Sequence, residues 1–283
     1  MVIKILATLG PSSLNENTVK KLTESGVWLF RINLSHTPLE NVEEVIKKIQ
    51  SWTDVPICLD SEGAQIRNQN MISENVKYTS GDVITVHHNF VVGDSHNISF
   101  TPDNVSDQLK VGDKIRVDFN SVHLQIIEDK GDCLLATVLQ GGYVGSNKAA
   151  DVDCHINLDA VTPKDEAAFE IGLKMGIKDF SLSFTNSAED VKVVRNIIGN
   201  NTNLISKIES IKGVLNLGEI LPVVDQILID RGDLSREVAI EKIPFIQRRI
   251  ISQARSQETP VFVATNLLES MVKVSSPTRA EVN

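Results

Sequence analysis

Over residues 1 to about 68, and again from about 152 to the end, short apolar runs alternate with segments whose apolar residues recur every three to four positions. The runs are VIKILAT (2–8), WLFRINL (28–34), VPICLD (55–60), DFSLSF (179–184), NLISKIE (203–209), QILIDRG (226–232) and PVFVAT (260–265). Between them lie helix-like segments: NENTVKKLTESG, with Leu22 on the face of Val19, then PLENVEEVIKKIQSW, TPKDEAAFEIGLKMG, SAEDVKVVRNIIG, IKGVLNLGEILPVV and IPFIQRRIISQARSQ. Helix-start chemistry marks their openings, as at Thr162 followed by Pro163, Asp165 and Glu166. Strand and helix in strict alternation predict an α/β fold with a parallel sheet covered by helices. A TIM-type (β/α)8 barrel is favoured over a doubly wound sheet, because polar residues cluster at the C-terminal end of nearly every strand. Seven strands are visible, so the barrel is expected to be incomplete. Either the chain is a fragment, or another segment or subunit closes the gap.

The texture changes between these regions. SGDVITVHH, VGDKIRVDFN, VHLQIIEDKGDCLLATVL and GGYVGSNK are short alternating runs broken by Gly-Asp and Gly-Gly turns. They predict a small all-β module inserted after the third barrel strand, where a lid over the barrel mouth belongs. The expected domains are a first barrel segment (1–68), an inserted lid (69–152) and a second barrel segment (153–283).

At 283 residues with 41% apolar and 23% charged side chains, the chain has the balance of a soluble globular protein, and no apolar run is long enough to span a membrane. Its formal charge of −9 argues against nucleic-acid binding through phosphate neutralisation, while leaving room for a small anionic substrate. Three widely spaced cysteines, Cys58, Cys133 and Cys154, and an N-terminus that starts as a strand predict reduced thiols in a cytoplasmic protein.

The strand ends carry the candidate chemistry. They present Thr8; Arg31, Asn33 and Ser35, with His36 following; Asp60 and Ser61, with Arg67 beyond; Ser183; Lys207 and Glu209; Arg231, Gly232 and Asp233; and Thr265 with Asn266. Residues two apart on a strand share a face, so Lys207 and Glu209 project together. Alone, such a pair is more often a structural ion pair. Glu209 with Asp233 suits Mg²⁺, which takes one or two protein carboxylates. Arg31, Lys207 and Arg67 suit a transferring phosphoryl group. Asn33, Ser35 and Asp60 offer oxygens to a monovalent cation, and the RGDL turn offers backbone N–H groups to a carboxylate. His87 and His88 are strand neighbours on opposite faces and make a poor metal pair.

The order of motifs resembles pyruvate kinase along essentially the whole chain. The stretches are KILATLGPSS, GVWLFRINLSHT, ICLDSEGAQIR, VGDKIRVDFN, GGYVGSNK, INLDAVTPKDEAAFEIGLKMGIKDFSLSF, LISKIESIKGVLNLGEIL, ILIDRGDLSREVAIEKIPFIQRRII and PVFVATNLLESMVKVSSPTRAEV. The resemblance implies phosphate transfer between phosphoenolpyruvate and ADP, giving pyruvate and ATP, with Mg²⁺ or Mn²⁺ and usually K⁺. It implies that Arg31 and Lys207 contact the phosphoryl group and that Glu209 and Asp233 bind the divalent ion. Gly232 and Asp233 would hold the substrate carboxylate, and Thr265 would sit near the face where the enolate is protonated. Asn33, Ser35, Asp60 and Ser61 match the K⁺ positions; Asn33, His36, Arg67 and Lys148 match nucleotide-contacting ones. Two alternatives stand beside this: a lyase or aldolase acting on a 2-oxo acid at the same Mg²⁺ site without nucleotide, and a non-enzymatic relative.

Departures from the family pattern gather in the lid and its hinge. Glu62, Gly63, Ala64 and Gln65 replace a Lys-Gly-Pro-Glu run, Gln65 standing where the family carries the glutamate linked to K⁺ dependence. Asp118, Phe119 and Asn120 replace an Asp-Asp-Gly turn, and Asn147 with Lys148 replaces a lysine pair. Near the substrate, Asp230 stands where the family has alanine, Ser235 where it has glycine, Asn186 where it has arginine and Asn266 where it has glutamine.

Overall fold

A computed structural model describes residues 3–118, 121–265 and 267–282. Phe119, Asn120 and Asn266 lie outside the described residues. The chain divides into two compact units, one of residues 1–64 with 159–283 and the other of residues 65–158.

The first unit is built on seven parallel strands that neighbour one another in chain order. They are β1 (Ile5–Thr8), β2 (Val27–Asn33), β3 (Ile57–Asp60), β4 (Asp179–Leu182), β5 (Asn203–Ile208), β6 (Gln226–Asp230) and β7 (Val261–Ala264). Helices α1 (Glu16–Glu24), α2 (Leu39–Trp52), α3 (Pro163–Lys174), α4 (Ala188–Ile198), α5 (Ile211–Leu215), α6 (Leu217–Ile220), α7 (Arg231–Glu237) and α8 (Ile243–Ser256) lie between strands. Their starts follow from their caps: Asn15 accepts the Thr18 N–H, and Thr162 with Asp165 and Ser187 with Asp190 form reciprocal capping boxes. Apolar residues at helical spacing, such as Val42, Ile46 and Ile49 or Val191, Val194 and Ile198, are fully buried in the layer between helices and sheet.

Because strand side chains alternate, β2 sends Phe30 and Ile32 to that outer layer and Leu29 to a second cluster with Cys58, Ile205 and Leu228. The sheet curls around this inner cluster far enough that Trp28 of β2 stacks on Phe262 of β7, ring centroids 6.0 Å apart. Among the described residues it does not close, and β1 and β7 are its edges. The central β3 and β4 are buried along their whole lengths, whereas Ile5 on β1 remains 49% exposed and β7 is only half-buried. This is the α/β half-barrel expected of a TIM-type fold with seven of its strands.

Two expectations are corrected in detail. The strands run shorter at their C-terminal ends, β5 stopping at Ile208 and β6 at Asp230, because Ser210 and Asp230 turn the chain into helix by accepting N–H groups from Gly213 and Gly232. The single helix expected over IKGVLNLGEILPVV is instead α5, α6 and a short 3₁₀ turn, broken at Asn216, whose amide donates to the Asn186 carbonyl at 2.8 Å.

The second unit is a closed β-barrel. Its strands follow the order 133–140, 83–87, 97–101, 66–68, 149–152, 114–117 and 122–129, with a separate ribbon of 76–78 and 142–144. Ile84, Val86, Ile98, Phe100, Leu124 and Ala136 fill its core. No helix among the described residues is long and apolar enough to cross a membrane.

Candidate active site

The period-two rule places Lys207 and Glu209 on one side of β5 and its exit, with Ile208 buried on the other. The Lys207 ammonium lies 2.8 Å from Glu209 Oε1, 3.3 Å from Asp60 Oδ2 and 3.0 Å from the Ser183 hydroxyl. Parallel register makes this meeting possible: Asn33 sits beside Asp60, Asp60 beside Ser181, and Leu182 beside Ser206. Arg31, from β2, brings its Nε to 3.5 Å from the same Asp60 Oδ2. Four neighbouring strand ends therefore converge on one carboxylate and one ammonium.

Lys207 is 5% exposed and Glu209 1% exposed, so their charges interact with little solvent screening. Burial alone would pull the Lys207 ammonium down, but the Asp60 and Glu209 carboxylates outweigh it and hold the lysine above its ordinary value, fully charged. Burial pushes the Glu209 carboxyl up to about 7; Lys207 opposes this, and the nearby Asp233 and Asp230 charges reinforce it. The second Glu209 oxygen accepts the Phe184 backbone N–H at 2.7 Å.

The shell around the cluster is fixed by short polar contacts. Ser183 donates its N–H to Ser61 Oγ at 2.9 Å and its hydroxyl to the Ser61 carbonyl at 2.7 Å. Gly63, at φ +73, presses against Ser183, where any Cβ would fall 2.6 Å from the Ser183 carbonyl oxygen. Fully buried Asp165 takes the Glu62 N–H at 2.7 Å and the Gly63 N–H at 3.1 Å while also capping α3. Lys164 bridges the Leu34 carbonyl and the Glu62 carboxylate.

At the end of β6, Asp230, Asp233 and Glu209 each offer a carboxylate oxygen, all within 4.8 Å of one another. An all-oxygen, multiply anionic donor set fits a hard divalent cation. Asp230 Oδ1 accepts the Gly232 N–H at 3.0 Å and the Thr265 hydroxyl at 2.5 Å. Arg231 turns to the Ala264 carbonyl at 3.2 Å and to that of Thr265, while Arg236 lies 3.4 Å from Asp233. Thr265, so clamped, has φ +74, a left-handed conformation rare for a β-branched residue.

Among the other residues singled out from the sequence, Asn33 caps the 3₁₀ turn of residues 34–36, its side-chain oxygen accepting the Ser35 N–H at 3.0 Å, and His36 is exposed on that turn. In the second unit, Arg67 and Lys148 come together on paired segments: Asn68 donates to the Lys148 carbonyl, and Arg67 donates to the Asn147 carbonyl at 2.9 Å. Sequence reasoning did not find the clamp made by Asp165, whose partners are about a hundred residues away in the chain, nor the Phe184 N–H. It noted Asp230 only as a departure. The signal for Asp230 was available: an Asp at a strand end, directly before a turn, caps the first turn of the next helix.

The family model described as "Pyruvate kinase, barrel domain" matches residues 2–283. Among curated proteins, pyruvate kinase of Geobacillus stearothermophilus is 32% identical over 99% of this chain and 50% of its own length. Pyruvate kinase of Thermotoga maritima is 32% identical over 99% of this chain and 62% of its own, and that of Mycobacterium tuberculosis 30% identical over 99% and 61%. The chain thus spans between half and two thirds of the length of these relatives.

Proposed function

The chain belongs to the pyruvate kinase family, and we propose that it transfers the phosphoryl group of phosphoenolpyruvate to ADP. The observation that carries this reading is the Lys207 ammonium, buried and held charged between Asp60 and Glu209 beside a three-carboxylate cluster. Phosphoryl transfer asks a protein for positioning and charge neutralisation rather than covalent help. In the proposed reaction the enol-phosphate P–O bond breaks, a β-phosphate oxygen of ADP takes the phosphoryl group, and the released enolate takes up a proton to give pyruvate.

Lys207 and Arg31 would face the equatorial phosphoryl oxygens, with Asp60 orienting both cations through one carboxylate oxygen. Glu209 and Asp233 would hold Mg²⁺ or Mn²⁺, which when bound supplies charge neutralisation for the phosphoryl and enolate oxygens. The Gly232 and Asp233 N–H groups at the first turn of α7 would receive the substrate carboxylate, and Thr265 would stand near the face where the enolate is protonated. Asn33, Ser35, Asp60 and Ser61 would offer oxygens to K⁺; the buried Asp60 Oδ1, which has no hydrogen-bond partner among the described residues, supports this. Asn33, His36, Arg67 and Lys148 would contact the nucleotide. The setting proposed is glycolysis in the cytoplasm.

The test is pyruvate release from phosphoenolpyruvate and ADP by the purified protein with Mg²⁺ and K⁺, coupled to NADH oxidation. ADP-dependent pyruvate formation lost in Lys207→Met is the expected result. A folded protein that binds Mn²⁺ and yet forms no pyruvate would overturn the reading; binding of oxalate without ADP would turn it toward a nucleotide-independent enolate enzyme.

A further inference from the structure

One of the two N–H groups assigned above to the substrate carboxylate, that of Gly232, already has a carboxylate on it, and it belongs to the protein. Asp230 Oδ1 receives both the Gly232 N–H, at 3.0 Å, and the Thr265 hydroxyl, at 2.5 Å. The space over the Gly232 α-carbon is filled by the same two side chains: a Cβ built there would lie 2.9 Å from Thr265 Cγ2 and 3.3 Å from Asp230 Oδ1. A phosphoenolpyruvate carboxylate cannot reach the Gly232 N–H while Asp230 stays on it. Asp230 also adds a third negative charge within 4.8 Å of the Glu209 and Asp233 oxygens, and Arg231 beside it is turned to the Ala264 and Thr265 carbonyls.

We propose that Asp230 is a specificity-determining residue, an internal carboxylate that competes with the carboxylate of the substrate for the Gly232 N–H and at the same time ties down the Thr265 hydroxyl. The inference rests on the phosphotransfer reading and deepens it. It makes entry of any 2-oxo-acid enol phosphate an exchange, in which two hydrogen bonds to Asp230 are surrendered before the substrate makes its own. Alanine at this position, as in the family pattern, leaves the donors free. This protein therefore binds its carboxylate substrate less tightly than its donor set allows, and it discriminates against anions too weak to displace Asp230. Asp230 as a whole is half-buried.

The experiment is calorimetric titration of phosphoenolpyruvate, at saturating Mn²⁺ and without ADP, into the wild type, Asp230→Ala and Asp230→Asn. Asp230→Ala is expected to bind about tenfold or more tightly, the worth of one or two charge-assisted hydrogen bonds no longer broken on entry. Asp230→Asn keeps an acceptor oxygen on the same donors without the charge, and is expected to gain less than Asp230→Ala. A gain in affinity, unlike a loss, does not arise from a damaged fold. Equal dissociation constants for wild type and Asp230→Ala overturn the inference alone. Equal gains in the Ala and Asn variants overturn it too, since charge and not occupancy would then be responsible. Failure of all three proteins to bind phosphoenolpyruvate with Mn²⁺ overturns the phosphotransfer reading and the inference with it.

Discussion

Replacing Lys207 with methionine keeps the length of the side chain and removes its charge, and the structure sets the size of the consequence. The ammonium sits 2.8 Å from Glu209 and 3.3 Å from Asp60. At an effective dielectric of about 20 these contacts are worth gross attractions of roughly 6 and 5 kcal/mol, before the desolvation of all three groups is subtracted. Removing one member of a buried ion pair costs about 3–5 kcal/mol, because the remaining charges are left unpaired. For a unit of this size that lowers the melting temperature by on the order of 10 °C in the cation-free protein. A divalent cation then becomes the replacement for the lost ammonium, since Glu209 no longer has to give up Lys207 to receive it. Lys207→Met is therefore expected to lose pyruvate formation by a factor of at least about 10²–10³ while its affinity for Mn²⁺ rises about tenfold. Thermal melts in EDTA and in Mn²⁺, with Mn²⁺ affinity read from the electron paramagnetic resonance of the free ion, measure both halves. A variant that melts with the wild type in EDTA, and binds Mn²⁺ no more tightly, would refute the idea that lysine and cation share Glu209.

Glu209 supplies a pH prediction. Its carboxyl is raised from 4.5 to about 7 in the folded protein, so the folded state holds a proton that the unfolded chain has released. The contribution is present below pH 4.5 and lost as pH rises through 7, amounting to roughly 3 kcal/mol. Melts in EDTA from about pH 5 to 8 should lose stability with a slope that Glu209→Gln flattens, and added Mn²⁺ should stabilise more at about pH 8 than at about pH 6; a flat wild-type profile contradicts the burial argument. Gly63→Ala places a Cβ 2.6 Å from the Ser183 carbonyl at φ +73. A loss of about 2–4 kcal/mol in chemical denaturation is expected, with activity falling further than stability because Ser183 holds Lys207; an unchanged denaturation midpoint would show that the turn gives way freely. Asp165→Ala strands the Glu62, Gly63 and Thr162 N–H groups and is expected to cost about 3 kcal/mol, with Asp165→Asn milder, by the same measurement.

What the sequence makes legible here is what depends on local period. Alternation of strand and helix, the shared face of Lys207 and Glu209, and the caps at Asn15, Thr162 and Ser187 are short-range consequences of backbone geometry. A motif order carried by residue identity supplied the family. The contacts that define the site's charge balance are of another kind. Lys207 meets Asp60 across 147 positions of chain and Ser183 across 24, and Asp165 clamps residues 62 and 63 from the far side of the second unit in sequence. No periodicity encodes them, because they arise only when parallel register brings separate strand ends side by side.

The strand ends misjudged from sequence carry the same lesson into function. QILIDRG reads as an apolar run ending in charge, and its apolar periodicity alone does not separate a strand that continues through Arg231 and Gly232 from one that stops at Asp230; only the capping chemistry of the Asp does. The side chain decides. An alanine at position 230 has no oxygen with which to take the Gly232 N–H, so the first turn of α7 would present its donors outward. An aspartate closes that turn on itself and draws Thr265 in as well. The residue that ends β6 is thus also the one that takes the Gly232 N–H proposed for the substrate carboxylate, so that, on the proposal above, a single side chain links the secondary structure of the turn to the affinity of the site. That link is why the departure at 230 bears on ligand binding more directly than the changes at Asn186, whose side chain accepts from Ser210, or at Ser235, whose hydroxyl donates to the Gly232 carbonyl. Those two side chains bond to neighbouring structure, whereas Asp230 bonds to the Gly232 N–H proposed for the substrate carboxylate.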